Sequence, residues 1–224
     1  MKLKSTLVFA LISLVTLAQE SVEKKLGDFS KVKVYDLINV KMIKSNESKI
    51  QIEGKDRNDV ELVNKNGTLK IRMSPEKYFD GSGINIALYY TNIDLIDANE
   101  GSVVSVEAMI DQYEIDLKSQ EGAKINADIN VKYANIRAVT GGMIRTTGKA
   151  KNQDVSVYTG GVYEGEQLET EFSEVSIQAG GEIKVNCTDK LEIKIKAGGD
   201  VYVYGNPKTI DENRVFGGRV KRMD

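Results

Sequence analysis

The chain has no histidine and no tryptophan, and only one cysteine and two prolines among its 224 residues. Without histidine it lacks the commonest general base, the usual serine and cysteine triads, and most zinc sites. The single cysteine, Cys187, excludes an intramolecular disulfide, so stability has to come from packing and backbone ladders. With proline confined to Pro75 and Pro207, long stretches are free to pair as strands. A formal net charge of −2 gives no general attraction to nucleic acid or to an anionic membrane.

What is present begins with a leader. Lys2 and Lys4 precede an apolar run from Leu7 to Leu17, and Thr16-Leu17-Ala18 places small residues where a signal peptidase reads them. The run is shorter than the roughly 20 residues a membrane span needs. Gln19 rather than a cysteine stands directly after the cleavage site, which argues against a lipid anchor, and no second apolar run follows, so no transmembrane segment is expected after cleavage. The sequence therefore predicts a signal peptide over 1–18, a flexible lead-in over 19–28 and a single domain over 29–224. Periplasm, outer surface and medium all remain open as destinations.

Within that domain, four phrases recur: IRAVTGG ending at Gly142, VSVYTGG at Gly161, VSIQAGG at Gly181 and IKIKAGG at Gly199. Their spacings are 19, 20 and 18 residues, with weaker copies ending at Ser102 and Ala123. Apolar and polar residues alternate before each glycine pair, as in a half-buried strand entering a corner. A period near twenty, made of strands and glycine turns, is the pattern of a β-solenoid. The predicted inward set includes Val104, Val106, Ala108, Ile125, Ile136, Val155, Val157, Val175, Ile177, Ala179, Ile183, Cys187, Ile193, Ile195, Ala197, Val201 and Val203. Upstream, period-two runs around Val32, Val40, Ile50, Val60, Leu69 and Ile86 read as separate strands, and Asn66-Gly67 as a tight hairpin turn. The domain thus divides into N-terminal strands (29–92), glycine-turn coils (93–205) and a C-terminal cap (206–224).

The order of these parts resembles the bacterial head GIN domain family of auto-transporter adhesins. The likeness rests on F-S-K-V-x-V from Phe29, I-Q-I-E-G ending at Gly54, N-G-T-L-K-I at Asn66–Ile71 and the triplet Gly83-Ile84-Asn85. The EGS, TGG and AGG repeats and V-F-G-G-R-V near the end complete it. The pattern departs at Tyr89-Tyr90-Thr91-Asn92, where family members often carry a proline. The resemblance implies a right-handed, single-stranded β-helix at the cell envelope and an adhesion role, with no catalytic residues to transfer.

The residues offer few sites for chemistry. Cys187 falls at an inward position and reads as a small buried hydrophobe. Nine acidic residues from Asp94 to Asp128, and Glu164, Glu166, Glu169, Glu171 and Glu174, could meet on neighbouring rungs about 4.8 Å apart. That would suit Ca²⁺ or a glycosidase pair, but no calcium-loop spacing occurs, and solvated outer charge is the simpler reading. The binding candidates are outward tyrosines: Tyr158, Tyr202 and Tyr204, with Tyr113, Tyr133 and Tyr163 as further members. The expected function is a non-enzymatic, cofactor-free adhesin-like surface whose partner is a glycan or a protein. The alternatives are a carbohydrate-binding or carbohydrate-active β-helix and a self-associating envelope component, the last testable by removing Arg214–Asp224.

Overall fold

The computed structural model describes residues 21–223; the expected signal peptide, 1–18, lies outside the described residues. The chain forms a β-solenoid of about seven turns with coils of roughly 19 residues. Nine strands come first: β1 (Val22–Lys25), β2 (Lys31–Val34), β3 (Asn39–Lys44), β4 (Lys49–Glu53), β5 (Val60–Lys65), β6 (Thr68–Met73), β7 (Asn85–Tyr90), β8 (Leu95–Ala98) and β9 (Val103–Val106). Then follow β10 (Ile110–Gln120) and four strands of 16 residues each, β11 (Lys124–Val139), β12 (Met143–Tyr158), β13 (Val162–Ile177) and β14 (Glu182–Ala197). The last are β15 (Asp200–Tyr204), β16 (Thr209–Phe216) and β17 (Arg219–Arg222).

Register carries the repeat seen in the sequence. Lys124 pairs with Met143, Met143 with Val162, Val162 with Glu182 and Glu182 with Asp200, all in parallel. Each coil has two sides. Along β11, Ile125, Ala127, Ile129 and Val131 point inward, and then Ala134, Ile136 and Ala138 do. Lys132 and Tyr133 between them both face out, so the alternation changes phase there. The same phase change falls at Lys151-Asn152 in β12 and Glu171-Phe172 in β13, and it stacks into one corner running along the rod.

The opposite corner is the glycine turn. In Val139-Thr140-Gly141-Gly142 the amide of Gly142 donates to Val139 O at 2.9 Å, and φ is positive at Thr140 (49°) and Gly141 (73°). That is the backbone of a type I′ turn, which favours glycine where φ is positive. Gly142 is required for a different reason: a Cβ there would lie 2.2 Å from the carbonyl oxygen of Ser119 on the preceding rung.

The expected strands upstream are present, but they belong to the same solenoid, threaded out of order. β2 lies between β6 and β8, and β3 between β7 and β9, all parallel. The chain thus lays down one rung, crosses beyond it through β4 and β5, builds the outer rung with β6 and β7, and returns with β8 and β9. Antiparallel strands close this end, β5 on β6 and β4 on β7. Val22–Lys25, within the predicted lead-in, pairs with β4 as β1, and Val22 packs against the core.

Three predicted inward residues, Ala108, Ala179 and Ala197, are exposed. Ala179 and Ala197 sit at the glycine corner and Ala108 in the bend between β9 and β10, where the chain turns away and alternation fails. The interior also contains a polar row that alternation of apolar residues could not show: Thr146, Gln153, Tyr163, Thr170 and Ser173 are all buried.

At the far end, inward positions carry charge. Ile210, Glu212 and Arg214 of β16 stack on buried Leu191, Ile193 and Ile195, and Arg214 Nε pairs with Glu212 Oε1 at 2.5 Å. An inward ion pair on a terminal strand discourages further stacking, because a new rung would have to bury it. The double substitution Glu212→Val with Arg214→Ile should therefore make the end adhesive. Light scattering is expected to show concentration-dependent association of this variant and a monodisperse parent; a monodisperse variant would remove that role from the charges.

Candidate functional site

The outward corner gathers aromatic and amide side chains from successive rungs. Tyr133 pairs with Asn152 and Asn152 with Phe172, which places the three side chains in one column. Tyr113 of β10 extends it, its ring centroid 5.4 Å from that of Tyr133. Tyr113 is 62% exposed and Phe172 37%. The Lys132 ammonium lies 5.1 Å from the Tyr113 ring centroid and 5.5 Å from that of Tyr133.

Two residues beyond Tyr133, Asn152 and Phe172 stand Asn135, Asp154 and Glu174, a second column that Asp116 and Glu192 extend on the flanking rungs. Asn135 donates to Glu114 Oε1 and Asp116 Oδ1, each at 2.8 Å. Lys194 pairs with Glu174, and Lys190 with Glu192 at 2.6 Å. Removal from water, then the neighbouring Glu174 carboxylate, push the Asp154 carboxyl above its ordinary value, with Lys194 opposing them. Between the columns runs an open groove of about 430 Å³.

Of the predicted tyrosines, Tyr158 lies on the same side as this groove, six residues beyond Asn152. Its ring is 4.4 Å from the Arg137 guanidinium, and its hydroxyl accepts from Gln178 at 3.0 Å. Tyr202 and Tyr204 lie on the other side of the coil, in the half that β14 begins, with Lys221 over the Tyr202 ring at 5.5 Å. All three are half-buried in their ladders. Tyr113 and Tyr133 join in the corner column. Tyr163 does not: it is fully buried, because β13 begins with its odd residues inward. Phe172 was missed, although stepping 19 and then 20 residues from Tyr133 reaches Asn152 and Phe172. Cys187 is buried with Sγ near the carbonyls of Glu171 and Lys190.

Of the acidic residues singled out in the sequence, Asp97, Glu107, Glu164, Glu169, Glu171 and Glu174 form ion pairs with lysine or arginine. Among the described residues, no three metal-ligating side chains converge. On the other side, Glu164 sits between Arg145 and Lys184. Burial alone would raise its carboxyl, but those two cations hold it below its ordinary 4.5. A lowered folded value contributes stability that is complete above the unfolded value and is lost as pH falls through the folded one. Glu164→Gln should therefore cost about 1 kcal/mol at neutral pH, the scale of a partly exposed pair. The difference from the parent in urea titrations should shrink towards zero below pH 4.5, and a difference that grows with acid would contradict the pairing.

A second groove of about 450 Å³ lies at the threaded end, where Asn39, Lys41, Gln51, Asn85, Ala87 and Glu107 line the outer face. It brings Asn85 of the Gly83-Ile84-Asn85 triplet beside Asn39, its ladder partner. It has amides and a Lys41–Glu107 ion pair but no exposed aromatic ring.

Among solved structures, the chain is similar to one described as a putative adhesin from Bacteroides fragilis, with a TM-score of 0.83 and 18% identity, covering 91% of this chain and 96% of that one. A putative adhesin from Parabacteroides distasonis matches with a TM-score of 0.71 and 16% identity over 91% and 96%. A protein of the same species described as a putative lipid binding protein gives 0.68 and 14% over 92% and 96%. At these identities the likeness shows the fold alone. No curated protein matches the chain. The family model described as "Putative auto-transporter adhesin, head GIN domain" matches residues 28–207. With most of its length matched and its fold shared, the chain belongs to the head GIN domain family.

Proposed function

We propose that this protein is an exported, non-enzymatic adhesin whose working surface is the outward corner of the solenoid. One observation carries the reading: exposed aromatic side chains from separate coils are held in a single column by the backbone register, beside a groove edged with amides and carboxylates. Parallel ladders fix such positions before any ligand arrives, so little ordering cost attends binding. Family membership supports the adhesin role, and the leader over 1–18 supports export with cleavage before Gln19. Among the described residues no helix is long and apolar enough to cross a membrane. The partner in this reading is a ligand on a cell surface or in the envelope. Tyr158 is a subsidiary contact on the groove side, and Tyr202 and Tyr204 serve a ligand that reaches the other side.

The carbohydrate-binding alternative is favoured by the aromatic–amide column itself. The self-associating alternative is disfavoured by the inward Glu212–Arg214 pair, which makes the C-terminal rung a poor template for another copy.

The reading is tested by immobilising purified 19–224 and passing intact cells, envelope vesicles and extracellular-matrix preparations over it. At micromolar surface density the chain is expected to retain at least one of them. Retention of none, with the chain folded by circular dichroism, would sink the adhesin reading.

A further inference from the structure

We infer that the corner groove is a binding site for an extended, neutral glycan chain, an inference that rests on the adhesin reading above and names its ligand class. Tyr133 and Phe172 are two rungs apart, about 9.6 Å at the usual rung spacing. In an extended β-linked glycan, alternate sugars present the same face, so two aromatic platforms at that separation meet residues of equal orientation. The sugar between them faces Asn152, whose amide can both donate and accept. Stacking uses the apolar C–H face of a sugar ring against the ring of Tyr or Phe. The hydroxyl rim is then left to Asn135, Asp154 and Glu174 in the adjoining column.

Other ligand classes fit this surface less well. A peptide strand would need free backbone donors and acceptors, but here both neighbours of β12 are already paired along the groove. An anionic polymer or phosphate headgroup would approach Asp154, Glu174 and Glu192, the last two already neutralising Lys194 and Lys190. An acyl chain would need an apolar channel, whereas this groove is shallow and lined largely by amides and charges. The Lys132 ammonium over Tyr113 and Tyr133 adds a donor at the rim of the platform.

The test is affinity electrophoresis of the full mature chain in gels containing neutral β-linked glucans, mannans or xylans, followed by titration with oligomers of two to six sugars. Retardation by at least one polymer is expected, with affinity rising with oligomer length. Tyr133→Ala and Phe172→Ala should each weaken binding at least about tenfold, the loss typical of a buried aromatic contact. Phe216→Ala, an exposed aromatic on the terminal rung, should leave it within about twofold. Both groove residues are surface side chains, and unchanged melting curves will confirm that the variants fold. Binding that is indifferent to Tyr133 and Phe172 overturns the site. Cell-surface retention that survives periodate oxidation of the glycans, with no polymer bound, overturns the ligand class while leaving the adhesin reading in place. Binding to zwitterionic lipid vesicles but to no glycan overturns it as well.

Discussion

Gly142→Ala is expected to destabilise the solenoid by about 3 kcal/mol, the upper range for inserting atoms into a packed interior. The Cβ it adds would meet Ser119 O at 2.2 Å and Gln120 N at 2.8 Å, backbone atoms of the rung below that cannot swing aside. Ladders on both sides fix the separation, so relief would require opening a rung. The neighbouring glycine makes the informative control. Gly141 has φ of 73° with open space around it, so Gly141→Ala carries only the left-handed penalty, about 1 kcal/mol. Thr140, a β-branched residue at φ 49°, should gain about 0.5 kcal/mol on replacement by glycine. Urea unfolding of the three variants checks the ordering. A Gly142→Ala chain as stable as Gly141→Ala would mean that the corner is not close-packed.

The second large effect lies inside the rod. Tyr163 crosses the core, and its hydroxyl sits 2.7 Å from Thr146 Oγ1 and 2.9 Å from Gln153 Oε1. One arrangement of protons satisfies every member: Thr146 donates to Tyr163, and Tyr163 donates to the Gln153 carbonyl. The Gln153 amide then donates to Ser173 and Thr170, Ser173 donates to Thr170, and Thr170 donates to Asn186 O. Such a network is strong when complete and costly when cut. Tyr163→Phe leaves the Gln153 carbonyl without its donor and the Thr146 hydroxyl without its acceptor, for a loss of about 2–3 kcal/mol. Gly165→Ala should be comparably damaging, since its Cβ would lie 2.4 Å from the Tyr163 ring.

Burial first, with a small contribution from Glu166, pushes the Tyr163 hydroxyl far above its ordinary value of 10.0, though the Thr146 hydroxyl opposes it. A raised folded value gives stability that is complete below the unfolded value and is lost as pH rises above it. Stability of the parent should therefore start to fall as pH rises past 10, with the tyrosinate absorbance of Tyr163 and of the likewise buried Tyr90 appearing only together with unfolding. Tyr163→Phe should lose the Tyr163 share of that step and keep that of Tyr90. A full complement of tyrosines titrating in the folded chain would contradict the buried placement.

The sequence and the structure agree most closely where the physics is local. The glycine phrases 19, 20 and 18 residues apart are the offsets of the ladder itself, because one corner residue stacks on the next. The threaded rung was hidden because its pairings are distant: Val32 meets Leu69 and Ile96, and no glycine pair marks its corner, where Asp36 and Leu37 take positive φ instead. Asp36 is buried there and accepts from the amides of Met73 and Phe79, a non-local requirement that no alternation displays. Tyr163 was assigned to the outside because a polar inward row breaks the apolar rhythm on which that assignment depends. The corner column was partly legible in Tyr113 and Tyr133. Phe172 joins them only once the phase change at Lys132-Tyr133 is recognised as a corner, with two successive side chains facing solvent.

The central claim, that the outward corner is the face on which this protein meets its ligand, is tested most directly by hydroxyl-radical footprinting of residues 19–224 free and bound to a retained cell-surface preparation. Oxidation of Tyr113, Tyr133 and Phe172 should fall several-fold on binding, while that of exposed Tyr78 and Phe216 stays unchanged. Protection confined to Tyr202 and Tyr204, or to the groove around Asn39 and Asn85, with the corner rings as reactive as before, would contradict it.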